Sequence, residues 1–247
     1  MKRVKYSARK KCTNSLTLES FLNKYNLKPS DLYILDETVI KCSTQSVQYF
    51  GKSIESNESQ DKLITAVVSF LASGAYVPLL MIFPDIVKNK PLIHGAPPTA
   101  WALVNSCGQL QLDIFIRWLH KFIDLKKPIK SKPTLILVHG YHLYLKNLDV
   151  LEIMTENGVY MFCLPPNRSN KLQPSRYSFM DVLGTAYKNE VTNWTMNCAG
   201  QSVSVDEVFK FFGNAFRKVS TVLTANSSFA STGIWSCNRN LFKHEFI

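Results

Sequence analysis

Residues 134–163 read TLILVHGYHLYLKNLDVLEIMTENGVYMFC, and this stretch decides the fold class. TLILV is a short apolar run of the kind found in a strand covered on both faces. Asn147 to Asn157 fits a helix, with Gly158 as the residue just past its end, where glycine takes a left-handed conformation at little cost. VYMFC is the second apolar run. So short a crossover implies two parallel strands in a right-handed unit.

Upstream, DLYILDET (31–38) reads as a strand ending in two acids, Asp36 and Glu37. In sheets with a parallel portion, sites gather at the carboxyl ends of strands. Asp36 ends the first strand on this reading and His139 ends TLILV, so the two positions face one crevice. Leu63 to Phe83 carries no charge over 21 residues, long enough to span a bilayer. Ser73-Gly74-Ala75 breaks the run, and Pro78 follows. ITAVVSF and YVPLLMIF on either side are rich in β-branched and aromatic residues, which predicts a buried β-hairpin rather than a membrane helix. The polar stretch from Cys42 to Asp61 reads as a turn with weak strands, and Leu92 to Leu110, rich in Pro and Gly, as a long ordered loop.

Helices are expected at four further places. TLESFLNKYN makes a short one, with Thr17 as N-cap. Phe115, Trp118, Leu119, Phe122 and Ile123 form one apolar face of a strong one. A long helix covers about Tyr177 to Asn197. Another runs from Val205 to Val219, with Ser204 as N-cap and Asp206 and Glu207 in its first turn. The fold class is therefore α/β, a mixed sheet flanked by helices.

The chain has 247 residues, 46% of them apolar, which is enough for a substantial core. Lys and Arg number 29 against 18 Asp and Glu, a formal charge of +11 that suits a polyanionic partner. The six cysteines are spread without a C-x-x-C pair, which argues against a zinc ribbon or a disulfide scaffold. No P-loop, G-x-G-x-x-G or G-x-S-x-G occurs. His139-Gly140-Tyr141-His142 lacks a third zinc ligand and reads as ordinary loop polarity. Asp36-Glu37 is either a metal-binding carboxylate at a strand tip or a plain strand-ending turn. FKFFGNAFRK (209–218) offers either a stacking and phosphate surface or the buried face of an amphipathic helix, and its spacing favours the helix.

Several motifs in order resemble the DDE superfamily endonuclease domain of pogo-like DNA transposases, the Tigger and jerky group. They are YILDET (33–38), the hairpin TAVVSFLASGAYVPLLMIFP and GAPP (95–98). Next come Cys107-Gly108 before DIFIRWLHKFI, and then KPTLILVHGYH (132–142). MFCLPPNRSNKLQP (161–174) and SSFASTGIWSCNRNLF complete the series. The resemblance covers roughly residues 20–247 as an RNase H-like core with C-terminal helices. Residues 1–19 are then a basic arm or linker remnant, in which Lys2, Arg3, Lys5, Arg9, Lys10 and Lys11 are candidate nucleic-acid contacts.

The resemblance implies three acids holding two divalent ions, Mg or Mn, for DNA cleavage and strand transfer. The first acid corresponds to Asp36. The second normally precedes a Gly-His pair, and here Val138-His139-Gly140-Tyr141 puts His139 in its place. The third normally follows L-Q-P-L, and here Leu172-Gln173-Pro174-Ser175-Arg176 puts Arg176 there. An imidazole adds no negative charge, and a guanidinium repels a cation. The expectation is a degenerate, DNA-associating copy in the nucleus with cleavage lost or impaired, and with no membrane partner. Two alternatives stand beside it: an active nuclease with a rearranged acid set drawing on Asp149 or Asp181, and a protein-interaction scaffold. The family's N-terminal helix-turn-helix modules are expected to be missing, as in a fragment, a domesticated protein or a decaying transposon product. A homo-oligomer and a separate DNA-recognition partner remain open.

Overall fold

The computed structural model describes residues 13–42, 47–51, 62–85, 95–139, 143–164, 179–198, 203 and 205–235. The strands are β1 (Leu32–Cys42), β2 (Val47–Gly51), β3 (Lys62–Leu71), β4 (Leu80–Pro84), β5 (Trp101–Asn105), β6 (Thr134–His139) and β7 (Val159–Leu164). The helices are α1 (Thr13–Lys24), α2 (Leu112–Lys126), α3 (Leu148–Glu156), α4 (Asp181–Asn197), α5 (Val205–Val219) and α6 (Val222–Ser231).

All seven strands belong to one mixed sheet, in the order β5-β4-β3-β1-β6-β7, with β2 attached to β1. β1 is antiparallel to β3, and β3 to β4, which is the expected hairpin. β6 is parallel to both β1 and β7. The β6-α3-β7 crossover follows the sequence closely. The Asn147 side chain accepts the Val150 N–H at 3.1 Å and caps α3. Gly158 has φ +67°, and a Cβ there would lie 2.6 Å from the Ile129 carbonyl. No helix among the described residues is long and apolar enough to cross a membrane.

Side chains alternate across the strands and divide the core in two. Leu32, Ile34, Leu135 and Leu137 pack with Leu18 of α1 and with Leu183, Phe209, Phe212 and Phe229 of α4 to α6. Tyr33, Leu35, Ile136 and Val138 pack with Phe115, Trp118 and Phe122 of α2 and Val150 of α3. The α/β architecture expected from the sequence, a mixed sheet flanked by helices with further helices at the C-terminal end, is the one observed.

Three expectations need correction. β1 does not stop at the two acids, because Thr38, Val39 and Ile40 are buried and go on pairing with β3. The 92–110 loop contains β5, whose WALV run pairs in parallel with β4. α1 starts at Thr13, so Thr17 lies inside it and is not its cap; a β-branched residue there costs only a few tenths of a kcal/mol, roughly, and does not halt a helix. α6 had no sequence-based expectation. α4 runs from Asp181 and is preceded by a π-helical turn at Phe179 and Met180, and Tyr177 and Ser204 lie outside the described residues.

Candidate active site at the notch in β1

One edge of β1 changes partner partway along. Leu32 to Leu35 pair with Leu135 to Val138 of β6. Val39 to Cys42 pair with β2 on that same side, since β3 occupies the other edge from Tyr33 to Cys42. Residues 36 to 38 therefore border a notch where β6 has ended and β2 has not begun. Asp36 opens this notch. Its side chain alternates with Leu35 and so lies on the face of Ile34, the face covered by α1 and α4 to α6. Asp36 is buried at 8% exposure, and its Oδ1 accepts the Glu37 N–H at 3.0 Å.

His139 is the last residue of β6, one step past the Val138 that pairs with Leu35, so its backbone stands beside that of Asp36. Positions 36 and 139 thus lie side by side in backbone register. Arg176 lies outside the described residues, as do Lys2, Arg3, Lys5, Arg9, Lys10 and Lys11. Asp149 and Asp181 are exposed in the first turns of α3 and α4. Among the described residues no three His, Cys, Asp or Glu side chains converge as a metal site.

Glu37 points to the opposite face, where sequence reasoning assigned nothing. Burial first, and the Asp36 carboxylate second, lift its carboxyl to about 7. Tyr144 is pushed up to about 12 by burial and then by Glu37 and Cys107, so these groups are near neighbours. The Tyr144 hydroxyl donates to the Leu110 carbonyl. Asn105 organises the adjoining loop. Its Oδ1 accepts from Gly108 N at 2.6 Å and Cys107 N at 3.3 Å, and its Nδ2 donates to the Gln109 carbonyl at 2.7 Å. The loop is tied to β3 by the Thr65 hydroxyl, which donates to the Gly108 carbonyl at 2.8 Å. The Cys107-Gly108 pair was the available sequence signal for this enclosure. The 209–218 segment is settled by packing, because Phe209, Phe211, Phe212 and Phe216 are buried.

A mixed sheet of this order, with an acid at the notch beside the end of a parallel strand, defines an α/β core with helices on both faces. The family model described as DDE superfamily endonuclease matches residues 77–227, and the chain belongs to that family. A protein of Cochliobolus lunatus called MFS-type transporter clz9 is 23% identical over 219 residues. That match takes in 85% of this chain and 24% of the relative, so the chain spans about a quarter of the relative's length. Among solved structures, the Mos1 mariner paired end complex with Mn shares 15% identity at a TM-score of 0.43, over 94% of this chain and 67% of that one. The Mos1 Strand Transfer Complex shares 15% identity at a TM-score of 0.40, over 94% and 66%.

Proposed function

We propose that this chain is a transposase-derived DNA-associating protein of the nucleus, of the pogo-like Tigger and jerky type, in which two-metal DNA cleavage is lost or severely impaired. The observation that carries the reading is the notch: Asp36 opens it, and the adjoining strand end supplies His139 where a second carboxylate is needed. Mg²⁺ and Mn²⁺ take hard oxygen donors, and carboxylates also offset their charge. A set of one carboxylate, with a histidine at position 139 and an arginine at position 176, does not fit a pair of such ions. The overall charge of +11 favours association with a polyanion without any cleavage.

A salt series of DNA binding by the purified chain, paired with a cleavage assay, tests the reading. Binding that weakens steeply with salt is expected, with no nicking in Mg²⁺ or Mn²⁺. Metal-dependent nicking by the H139D/R176D double variant, absent from the wild type, would mark simple loss of ligands. Nicking by the wild type would establish instead an active nuclease with a rearranged acid set. No DNA affinity even at low salt would leave the protein-interaction scaffold as the surviving function.

A further inference from the structure

The opposite end of the sheet from Asp36 carries a second feature. At the amino ends of the parallel strands, a corner is built from the end of α1, the turn Pro29–Asp31, the end of α2 and the 127–132 turn. Asp31 is its hub. It is 1% exposed, and its Oδ1 takes Lys126 Nζ at 3.1 Å and Lys132 Nζ at 3.9 Å. Its Oδ2 accepts the Lys28 N–H at 3.2 Å. Lys126 Nζ also donates to the Ser30 carbonyl at 2.6 Å. The 127–132 turn is held against Gly158 at the start of β7, where Ile129 and Lys130 backbone atoms approach within contact distance.

One carboxylate thus gathers this corner but does not neutralise it. Lys24, Lys28, Lys127 and Lys130 are all exposed, and none forms an ion pair with a described carboxylate. The nearest other acids in sequence are Glu19, half-buried on α1, and Asp124, exposed on α2. Beside the lysines stands an aromatic group. Tyr160 of β7 is 39% exposed and meets Phe21 at 4.9 Å and Tyr25 at 5.8 Å between ring centroids. Lys24 Nζ lies 5.0 Å from the Tyr25 ring centre. Cations spaced around exposed aromatic rings are what a nucleic acid engages, through phosphate pairing and base stacking.

We infer that this corner, Lys24, Lys28, Lys127 and Lys130 with Tyr160, is a second nucleic-acid contact surface, remote from the notch at Asp36. The inference rests on the reading of the chain as DNA-associating and says which surface does the holding. Asp31 and Asp36 are five residues apart on one extended segment, roughly 16 Å at ~3.3 Å per residue. A bound strand at the corner therefore lies within a few nucleotides of the notch without contacting it. None of these lysines sits at a carboxyl strand end, so the surface is independent of the inherited metal position.

The test uses the full chain, labelled duplex and single-stranded oligonucleotides, and fluorescence anisotropy across a salt series. The variant K24Q/K28Q/K127Q/K130Q leaves Lys126 and Lys132 on Asp31. It is expected to bind at least tenfold more weakly, with the slope of log affinity against log salt reduced by about 2–4. A control variant, R117Q/K146Q/K188Q/K210Q, removes equal charge at exposed sites elsewhere and is expected to change the slope by less than about 1. Y160A is expected to weaken single-strand binding more than duplex binding. Equal losses in the two four-site variants, or an unchanged corner variant beside a binding wild type, would overturn the surface alone. A wild type with no DNA affinity would overturn the function reading as well. Tighter binding to phosphatidylserine vesicles than to DNA, through the same lysines, would overturn the choice of nucleic acid.

Discussion

The Glu37 amide donates to Asp36 Oδ1 at 3.0 Å, yet the two carboxyl groups serve opposite faces of β1. Asp36 belongs to the notch. Glu37 belongs to the enclosure formed with Tyr144 and the loop that Asn105 organises. Adjacent in sequence, the two acids cannot act as one ligand pair without breaking strand alternation.

Glu37 makes stability depend on pH. Its folded-state value of about 7 lies above the ordinary 4.5, so the folded chain holds a proton that the unfolded chain releases. Stability is full below about 4.5, falls as pH rises toward about 7, and is level above. The fall attributable to Glu37 is at most ~3 kcal/mol. Urea unfolding at pH 5 and pH 8 should show it, and Glu37→Gln should remove most of the difference by raising stability at pH 8.

Gly108 has φ +66°, and a Cβ there would stand 1.8 Å from the Leu63 carbonyl oxygen. Gly108→Ala must therefore displace either the loop or β3. Destabilisation of more than ~2 kcal/mol is expected, read as a lower urea midpoint. Asn105→Ala, which removes the loop's hydrogen bonds without a clash, should cost less, about 1–2 kcal/mol.

Phe209 is fully buried and stacks on Phe83 with centroids 5.7 Å apart and planes 10° apart. Phe209→Ala should destabilise the protein by about 3–5 kcal/mol through the cavity it leaves. DNA affinity of the folded protein should be unchanged. A selective loss of single-strand binding at full stability would instead restore the stacking role for this segment.

Asp31→Asn keeps the shape of the hub but removes the charge that Lys126 and Lys132 share. Lys126 is partly exposed, so the expected loss is about 1–3 kcal/mol, below that of a fully buried pair. Thermal melts at low and high salt should converge for wild type and variant as screening weakens the pair.

Much of the scaffold was legible from periodicity. The β6-α3-β7 unit carries two apolar runs and a glycine stop, and α5 carries its aromatic stripe, so the first was found to within a residue at each end and the second at its observed bounds. β1 was read too short because two acids look like an ending, while the pairing that continues it comes from β3, distant in sequence. β5 is five residues between Pro-rich and Gly-rich flanks, too short for a period to declare itself. α6 reads VLTANSSFAS, and only Ala225, Ser228 and Phe229 mark its buried side, two of them small. At the site, the adjacency of positions 36 and 139 followed from the rule about strand ends. The notch did not, because it arises from β2 taking over an edge that β6 leaves. Nor did the Glu37 enclosure, which draws residues from three separated segments.

Between Leu32 and Leu35, β1 has a partner along both edges, and these four residues are at most 5% exposed. A segment bonded on both sides does not open by local fraying, so its amides should exchange with solvent only when the whole molecule unfolds. Asp36 follows directly on that segment. Its carboxyl is thus anchored to the slowest-breathing part of the chain, and its position lasts as long as the fold itself.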